Sequence, residues 1–313
     1  MALVLLAANK SKDGNYAILF LYTIEYKREE NTMELLTPDK PIHELEELII
    51  KPYLHLNPSL GIILSESATA NEKYYAKSIQ ELSEKFNINV IIKTCNGIPD
   101  AGFAISELKR NQKIQGIVNL SNFGVGTQSL NDTIPLRLDV NAYSAITKGK
   151  LAVSDGVIGF RCGPCGAAAG LKILHYNNVD FEKKRIAILG RGIQVGRPLA
   201  EMICQQGASI SVFNENLEDI DLSRFNIVYN TVNKPNYLDS SFWKNGTDKL
   251  EYIVDIGANA DENGTTIGSV KLDDFENIDC KIAPLVGCID RLTIIVLFSK
   301  IYVNAATMSG EIL

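Results

Sequence analysis

The stretch Arg185-Ile-Ala-Ile-Leu-Gly-Arg-Gly-Ile-Gln-Val-Gly-Arg-Pro-Leu-Ala200 decides the fold expected for this chain. Its pattern predicts a buried strand over 186–189, a glycine turn and a helix that begins near Gly196. Glycines let the backbone turn sharply and approach a ligand closely, and a helix start offers unpaired N–H groups to an anion. The alternative is a strand-to-helix turn that binds nothing. The neighbouring sequence favours the nucleotide-binding interpretation.

Strands and helices alternate on both sides of this turn, which indicates parallel α/β sheets. Upstream we predict strands over 60–64, 90–93 and 116–120, and helices over 41–54, 70–86 and 101–111. Downstream we predict strands over 209–213, 225–229 and 252–256, and helices over 166–176 and 292–303. Residues 3–8 and 16–26 are expected to form a hairpin, and residues 129–165 are expected to be irregular. Ligands bind beyond the carboxyl ends of parallel strands, so loops 65–71 and 121–128 are candidate pocket walls.

The composition indicates a globular protein with reduced thiols. The chain has 313 residues, of which 46% are hydrophobic and 22% charged, and this length suits about two domains. A net charge of −6 without a basic block argues against nucleic acid as a partner, and no apolar run is long enough for a membrane span. The first residues lack the charged region of a signal peptide, so we expect a cytoplasmic protein.

The cysteines do not form a recognisable framework. Six of them are scattered, and Cys204 and Cys280 lie in apolar sequence, which favours reduced thiols. Cys162-Gly-Pro-Cys165 has the spacing of a redox or zinc motif, but no second Cys or His pair lies near it in sequence. We therefore expect no metal site.

Four further segments accompany the glycine turn in order. They are Pro164-Cys165, Tyr176-Asn177 through Asp180, Val254-Asp-Ile-Gly-Ala-Asn259, and Asn263-Gly followed by Gly268-Ser-Val270. Together with the turn, where Gly192 replaces a serine, they resemble the motifs of the bifunctional methylenetetrahydrofolate dehydrogenase/cyclohydrolase (FolD) family. The resemblance covers nearly the whole second half of the chain.

The resemblance implies a two-domain α/β fold with a cleft for a folate derivative. The N-terminal, folate-side domain would comprise residues 1–145, completed by the C-terminal helix 292–313. Residues 146–291 would form a Rossmann-type NAD(P)-binding domain. The family oxidises 5,10-methylenetetrahydrofolate with a nicotinamide cofactor and then hydrolyses the methenyl product. A homodimer is also implied.

The segment 71–78 departs from the family at its catalytic position. Tyr74 matches the family tyrosine that flanks the folate, although an aromatic residue there could equally be a packing residue. The catalytic lysine falls on Ser78, and Lys77 lies one residue early. One residue turns a helical side chain by about 100°, so Lys77 could act only if the helix shifts. A serine cannot supply the charge of a lysine, which predicts loss of the cyclohydrolase activity.

Other folate-side residues have also changed. The family's pocket glutamine falls on Leu120, and Asn141 stands where a carboxylate grips the pterin ring. The resemblance therefore places Tyr74, Lys77 and Asn141 in the catalytic group, and Leu120, Gly287 and Cys288 at the substrate. Loop 284–293 keeps the family's length, but Cys288, Asp290 and Arg291 replace two glycines and a proline. The alternatives are that Asn141 only caps a turn, and that Asp290 and Arg291 form a surface pair.

The cofactor half keeps its motifs but leaves the choice of nicotinamide cofactor open. The resemblance assigns cofactor binding to the following residues: Gly190, Arg191, Gly192, Val195, Gly196, Arg197, Pro198, Glu215, Val232 and Ala258. Arg191 and Arg197 could bind a 2′-phosphate, which favours NADP. Glu215 follows the next strand, where an acidic residue typically binds the ribose 2′-hydroxyl of NAD. We expect NADP, because both arginines match the family's turn.

Three functions are compatible with this sequence. The first is a monofunctional methylenetetrahydrofolate dehydrogenase, since hydride transfer mainly requires that cofactor and folate are held face to face. The second is a non-catalytic protein of the same fold that binds a nucleotide, because several folate-side features have changed together. The third is a dehydrogenase for another small substrate.

Overall fold

The computed structural model describes residues 32–153, 159–216, 219–261 and 265–311, with residues 159 and 160 described by their backbone only. The hairpin expected over 3–26 lies outside the described residues. The strands are β1 (Glu34–Leu35), β2 (Ser59–Ser65), β3 (Asn89–Cys95), β4 (Ile114–Asn119), β5 (Arg185–Leu189), β6 (Ser209–Phe213), β7 (Ile227–Asn230), β8 (Tyr252–Asp255), β9 (Asn259–Ala260), β10 (Thr266–Ile267) and β11 (Lys281–Ala283). The α/β class predicted from the alternating pattern is confirmed.

Two parallel sheets form the centre of the molecule. The first has three strands in the order β3-β2-β4, and the second has six in the order β1-β11-β8-β7-β5-β6. β2 and β5 are central strands whose residues are almost all buried, as expected for parallel strands covered on both faces. β9 and β10 form a separate antiparallel pair. The parallel strands bring their carboxyl ends to one edge of each sheet, where a ligand can bind.

The short strand β1 lies on the second sheet, although it belongs to the N-terminal part of the chain. Glu34 pairs with Lys281 and Leu35 with Ile282, both in parallel. The two-residue strand is too short to show alternation in the sequence. Its pairing with β11 in the second sheet was therefore not predicted. The predicted division at residue 145 therefore assigns one strand of the second sheet to the first domain.

Nine α-helices occur in the described part of the chain. They are α1 (Asp39–Leu45), α2 (Ala70–Lys85), α3 (Ile98–Arg110), α4 (Thr127–Asn131), α5 (Ala145–Ala152), α6 (Gly159–Cys162), α7 (Cys165–Tyr176), α8 (Gly196–Cys204) and α9 (Asp290–Ser309). Residues 46–56 continue α1 as irregular helical turns. α2 begins with a capping box, in which Thr69 and Glu72 satisfy each other's backbone N–H groups.

The region 129–165 is helical in part, so the expectation of an irregular segment was wrong there. Asp139 accepts hydrogen bonds from the backbone N–H groups of Tyr143 and Ser144, and Ser144 caps α5 by accepting from Thr147 N. These helices have between four and eight residues, too few to produce a helical repeat in the sequence. Helix capping and tertiary contacts therefore stabilise these short helices.

The last helix, α9, joins the two halves of the protein. Phe298 is fully buried and meets Phe86 edge-on, with 5.7 Å between ring centroids. Tyr302 donates its hydroxyl to the Phe86 carbonyl, and Asn304 donates to the carbonyls of Gln115 and Arg137. The helix also packs along α7. Within the described residues, neither α9 nor any other helix is long and apolar enough to cross a membrane.

All six cysteines are free thiols. Five of them are buried, and burial raises the pKa of Cys280 to about 12. Cys204 is exposed near the end of α8, contrary to the apolar environment expected from its sequence neighbours. Its position falls on the solvent side of the helix, which the local composition does not reveal.

Removing the Phe298 ring should destabilise the protein strongly. We expect Phe298→Ala to lower the free energy of unfolding by about 3–5 kcal/mol, because the cavity cannot be refilled in a fully buried position. Urea unfolding followed by circular dichroism measures the change. Met308→Ala, at a half-exposed position on the same helix, is the control and should change stability by less than about 0.5 kcal/mol. Equal effects of the two substitutions would contradict this role of α9.

Candidate functional site

A cavity of about 220 Å³ lies between the two sheets. Its wall combines residues from α2, the turn before α5, α7, the glycine turn, the segment from β8 to β10, and the loop and first turn of α9. The lining residues are Asn71, Tyr74, Tyr75, Asn141, Gly166, Val195, Ile256, Ala258, Thr266, Leu285, Ile289, Asp290 and Thr293. Four of the predicted site residues, Tyr74, Asn141, Val195 and Ala258, are thus brought together. Of the two loops expected to border a pocket, only 65–71 contributes a residue.

The glycine turn has the close backbone approach that its sequence predicts. Gly190 has φ +91°, and a Cβ there would lie 2.5 Å from Thr231 Oγ1. A Cβ on Gly196 would lie 2.2 Å from the Gly190 carbonyl oxygen. Both positions therefore require glycine. In the first turn of α8, Arg197 N donates to the Gly192 carbonyl at 3.1 Å and Pro198 has no N–H group, so this turn offers an anion only the N–H group of Gly196.

Gly192 differs from the other two glycines of the turn. An added Cβ would meet no heavy atom within 4 Å, so the backbone does not require glycine there. Open space above the turn is what a bound phosphate group needs, and it also explains why the related family can carry serine at this position. Pro198 lies buried in the first turn of α8, where its ring supports the helix start.

Charged side chains of both signs border the turn. Arg191 and Arg197 are exposed, and Arg197 Nε donates to the Arg191 carbonyl at 3.1 Å. Glu215 is exposed two residues after β6, and the last residue of that strand, Phe213, accepts a hydrogen bond from Gly190 N. None of the three charged side chains forms an ion pair with a described residue.

Tyr74 and Lys77 leave α2 in different directions. Tyr74 is 43% exposed and lines the cavity. Lys77 is directed into solvent, with its side chain 74% exposed and its Nζ 3.5 Å from Glu81. The helix is regular from Ala70 to Lys85, so no shift brings Lys77 to the cavity. The catalytic role considered for Lys77 is therefore not supported by its position, and Ser78 supplies no charge.

Asn141 is held by hydrogen bonds inside the protein. Its Oδ1 accepts from Cys165 N at 2.6 Å, and its Nδ2 donates to the Tyr143 hydroxyl at 2.9 Å. Its carbonyl accepts from the Gln194 side chain at 2.8 Å. The side-chain amide of Asn141 thus joins the first half of the chain to α7, and its backbone carbonyl joins it to the glycine turn. Its side chain borders the cavity, but both of its polar atoms already have protein partners.

Three other predicted residues lie outside the cavity wall. Leu120 is half-buried and packs on the core, with its backbone N–H bonded to Ile63. Val232 is buried, and its carbonyl accepts from Ser269 Oγ. Cys288 is also buried, and burial raises the pKa of its thiol to about 12.

The loop that leads into α9 does not place Gly287 or Cys288, the residues expected at the substrate, in the cavity wall. Leu285, Ile289 and Asp290 reach the cavity, because Gly287 turns the chain with φ +80°. Asp290 does not pair with Arg291, which instead lies 3.6 Å from Asp39. Burial raises the pKa of Asp290. The backbone N–H groups of Gly287 and Arg291 act in the opposite direction, because they favour the charged carboxylate.

Two polar residues of the wall were missed by sequence reasoning. Asn71 donates to the Ala258 carbonyl at 3.3 Å, while its Oδ1 is buried without a hydrogen-bond partner. Thr266 Oγ1 is also buried without a partner. Asn71 lies three residues before Tyr74, so the helical repeat could have placed it on the same face. Thr266 had no local signal, because it reaches the cavity through the β9–β10 pair.

A buried carboxylate supports the second sheet beneath the cavity. Asp255 is 2% exposed and accepts hydrogen bonds from Ser269 N, Val270 N, Gly257 N and Asn230 Nδ2. Burial raises its pKa to about 6, although these donors act in the opposite direction. It has no access to the cavity, and we assign it a structural role. No group of three or more His, Cys, Asp or Glu side chains in the described residues could hold a metal ion.

Comparison with known proteins gives one consistent result. Residues 164–309 match the family described as the NAD(P)-binding domain of tetrahydrofolate dehydrogenase/cyclohydrolase. The chain is 26% identical over 275 residues to the bifunctional protein FolD of Coprothermobacter proteolyticus, covering 86% of this chain and 97% of that protein. It is also 26% identical to the FolD protein of Dictyoglomus thermophilum, covering 83% and 93%.

Solved structures of FolD enzymes from other organisms have a similar fold. The bifunctional FolD enzyme of Campylobacter jejuni superposes with a TM-score of 0.75 at 22% identity, covering 88% of this chain and 99% of that chain. The FolD enzyme of Trypanosoma brucei, solved with NADP and an inhibitor, gives a TM-score of 0.76 at 17% identity, covering 90% and 99%. The two-domain arrangement predicted from the sequence is thereby confirmed.

The buried position of Asp255 predicts a pH-dependent contribution to stability. Its pKa is about 6 in the folded protein and 3.8 ordinarily, so the folded state keeps a proton that the unfolded chain has released. The stabilising contribution of Asp255 to the free energy of unfolding is complete below pH 3.8. It is lost as the pH rises through about 6, and the loss is on the order of 3 kcal/mol.

Unfolding of the wild type and of Asp255→Asn in urea at several pH values tests this. The free-energy difference between wild type and variant should fall between about pH 4 and pH 7, since asparagine does not titrate. A difference that stays constant or rises over this range would show that the four donors dominate over burial.

Proposed function

We propose that this chain, which is similar to FolD proteins along most of its length, is an NAD(P)-dependent 5,10-methylenetetrahydrofolate dehydrogenase of one-carbon metabolism that lacks the cyclohydrolase activity. The observation that carries the proposal is the shared wall of the cavity. Tyr74 from the folate-side helix and Val195 from the nucleotide turn face the same space. A homodimer in the cytoplasm is part of the same proposal.

The cavity suits the binding of a flat, partly polar ring. Tyr74 and Tyr75 provide aromatic surface, while Leu285 and Ile289 provide aliphatic surface on the opposite segment. The unpartnered Asn71 Oδ1 and Thr266 Oγ1 provide acceptors that a ligand N–H could satisfy after a small adjustment. The Asp290 carboxylate adds a negative charge near the place from which the family's carboxylate has been lost.

The glycine turn can hold the pyrophosphate of a nicotinamide cofactor. Gly190 and Gly196 leave no space for a side chain, so the backbone of the turn can approach a pyrophosphate closely. When bound, the cofactor supplies the hydride-accepting ring. The chain's own contribution is to align the two ligands and to exclude water, which requires no lysine.

The loss of hydrolysis follows from the positions of two residues on α2. The family's lysine corresponds to Ser78, which is absent from the cavity wall, and Lys77 extends into solvent beside Glu81. No lysine lines the cavity among the described residues. The hydrolytic step therefore lacks the ammonium group that assists proton transfer in the related family.

NADP is the proposed cofactor. Arg191 and Arg197 lie exposed on the turn and carry two positive charges toward the space in which a 2′-phosphate would bind. Glu215 would oppose that phosphate, but its single charge is exposed and the arginines outnumber it.

One observation favours a second candidate, a nucleotide-binding protein without folate chemistry. The Oδ1 and Nδ2 atoms of Asn141 form hydrogen bonds with Cys165 and Tyr143. The residue at the position of the family's pterin-binding carboxylate therefore holds protein elements together. Under this alternative, calorimetry would detect binding of NADP and no binding of methylenetetrahydrofolate. A dehydrogenase for another small substrate would bind NADP but would convert neither methylenetetrahydrofolate nor the methenyl compound.

Replacing Tyr74 should impair the enzyme and replacing Lys77 should not. We expect Tyr74→Ala to lower kcat/KM for methylenetetrahydrofolate oxidation by at least about tenfold, because an aromatic wall of the cavity is lost. Lys77→Ala, three residues along the same helix, should keep the wild-type rate, since its side chain is exposed. Formation of reduced cofactor is followed by absorbance, and hydrolysis of the methenyl compound should not exceed the uncatalysed rate. Absence of reduced cofactor at high wild-type concentration would refute the proposed activity.

The arginine pair should determine the preference between NADP and NAD. Arg191→Gln/Arg197→Gln is expected to weaken NADP binding by at least about tenfold and to change NAD binding much less, because only NADP carries the 2′-phosphate. Fluorescence titration of each cofactor measures both constants without requiring turnover. Glu215→Gln is the complementary variant and should strengthen NADP binding. A wild type that binds NAD more tightly would contradict the assignment.

A further inference from the structure

The wall of the cavity between the sheets carries one charged side chain among its described residues, the half-buried carboxylate of Asp290. The other lining residues are aromatic, aliphatic or uncharged polar, and no lysine, arginine or histidine is among them. A carboxylate in such a wall attracts groups that donate hydrogen bonds, whereas a second anion brought close to it meets a like charge. The charge of Asp290 therefore selects the end of a ligand that can enter.

The adjacent cation does not neutralise this carboxylate in an ion pair. The Arg291 guanidinium lies 3.6 Å from Asp39, which is outside the cavity wall. The Asp290 carboxylate is held by backbone N–H groups instead. Its Oδ1 accepts from Arg291 N at 2.6 Å, and the Gly287 N–H group also favours its charged form. A carboxylate has about four acceptor positions, so these bonds fix the group and leave acceptor capacity for a ligand.

Four uncharged polar side chains of the wall are less available than Asp290. Both polar atoms of the Asn141 side chain already have protein partners. The Thr293 hydroxyl donates to a backbone carbonyl one helical turn earlier, at 2.6 Å. Asn71 Oδ1 and Thr266 Oγ1 have no partner but are buried, so a ligand reaches them only after an adjustment. The strongest acceptor that the wall presents directly is thus the Asp290 carboxylate.

We propose that the Asp290 carboxylate binds a pair of adjacent N–H donors on the ring of the ligand, and thereby determines which ring the cavity accepts. This inference rests on the proposed function, because the reduced pteridine of a folate carries such a pair, an amino group beside a ring N–H. A carboxylate can accept both hydrogen bonds at once, one at each oxygen, as it does from a guanidinium group. A ring with a carboxylate or phosphate at the same edge is rejected.

The remaining walls suit a ring held in this way. The cavity volume of about 220 Å³ is below the range typical of a whole ligand, so the cavity takes the ring end of a folate and leaves the rest outside. Leu285 and Ile289 lie on the same loop as Asp290, which provides apolar contact for the ring next to the acceptor for its edge. The donor edge therefore faces α9, whereas a carboxylate at position 141 would draw it toward the turn before α5.

A purely structural role for Asp290 predicts a different result. Asp290 lies in the first turn of α9, where a carboxylate also stabilises the helix through nearby backbone N–H groups. Asparagine has the same shape and keeps one acceptor oxygen, but it lacks the charge and the second acceptor oxygen. A structural carboxylate would therefore affect stability on replacement and leave the preference between ligand rings unchanged.

Calorimetric titration with tetrahydrofolate measures ring binding without requiring turnover. We expect Asp290→Asn to weaken tetrahydrofolate binding by at least about tenfold, because charge-assisted hydrogen bonds are lost. NADP binding should be unchanged, since Asp290 is not part of the glycine turn. In turnover, KM for methylenetetrahydrofolate should rise with little change in kcat, as expected when ground state and transition state lose the same contact. Asp39→Asn, which removes the exposed carboxylate beside Arg291, is the matched control and should change none of these values.

A ligand analogue assigns the contact to Asp290. Tetrahydrofolate in which the ring amino group is replaced by a methyl group should bind the wild type at least about tenfold more weakly, and Asp290→Asn should largely abolish this difference. The same discrimination in wild type and variant would overturn the inference and leave the proposed function standing. Equal affinity of the wild type for both ligands would also overturn it, even if the variant does not fold. A wild type that binds no tetrahydrofolate would refute the proposed function and the inference together.

Discussion

The hydrogen bonds of Asn141 are the interaction on which the arrangement of the two halves depends. Its Oδ1 holds the start of α7, and its carbonyl holds Gln194 of the glycine turn. One residue from the first half of the chain thus fixes two elements of the nucleotide half. Because these groups are partly buried, removing a partner would leave polar atoms unsatisfied, at a cost of about 1–3 kcal/mol each. The cavity between the sheets can keep its shape because this frame is rigid.

The hydrogen bonds of Asn141 explain how the polar groups of this cavity differ from those of the related family. A carboxylate at position 141 could bind a ligand directly, whereas the asparagine serves the protein itself. The acidic group of the cavity is instead Asp290, which reaches it from the loop before α9.

Sequence reasoning succeeded where the pattern is local and failed where it depends on distant contacts. β2, β5, β6 and α2 were predicted within one or two residues, because buried runs and helical periodicity are properties of short windows. The strand β7 begins two residues later than predicted. Lys77 and Ser78 were adjacent candidates in the sequence, and the regular course of α2 showed that neither lines the cavity. Cys288 was expected at the ligand and is buried, because Gly287 reverses the chain before it.

The sequence by itself determined the parallel α/β class, the glycine turn and the resemblance to FolD proteins, because each depends on residues that are close together along the chain. Glycine at 190 and 196 is required by backbone contacts that any strand-turn-helix unit of this kind must make. Only the tertiary structure decided which side chains share a space. It joined Tyr74 to Val195 and Asp290. Such groupings depend on how separate elements pack, and packing at a distance leaves no periodic signal in one sequence.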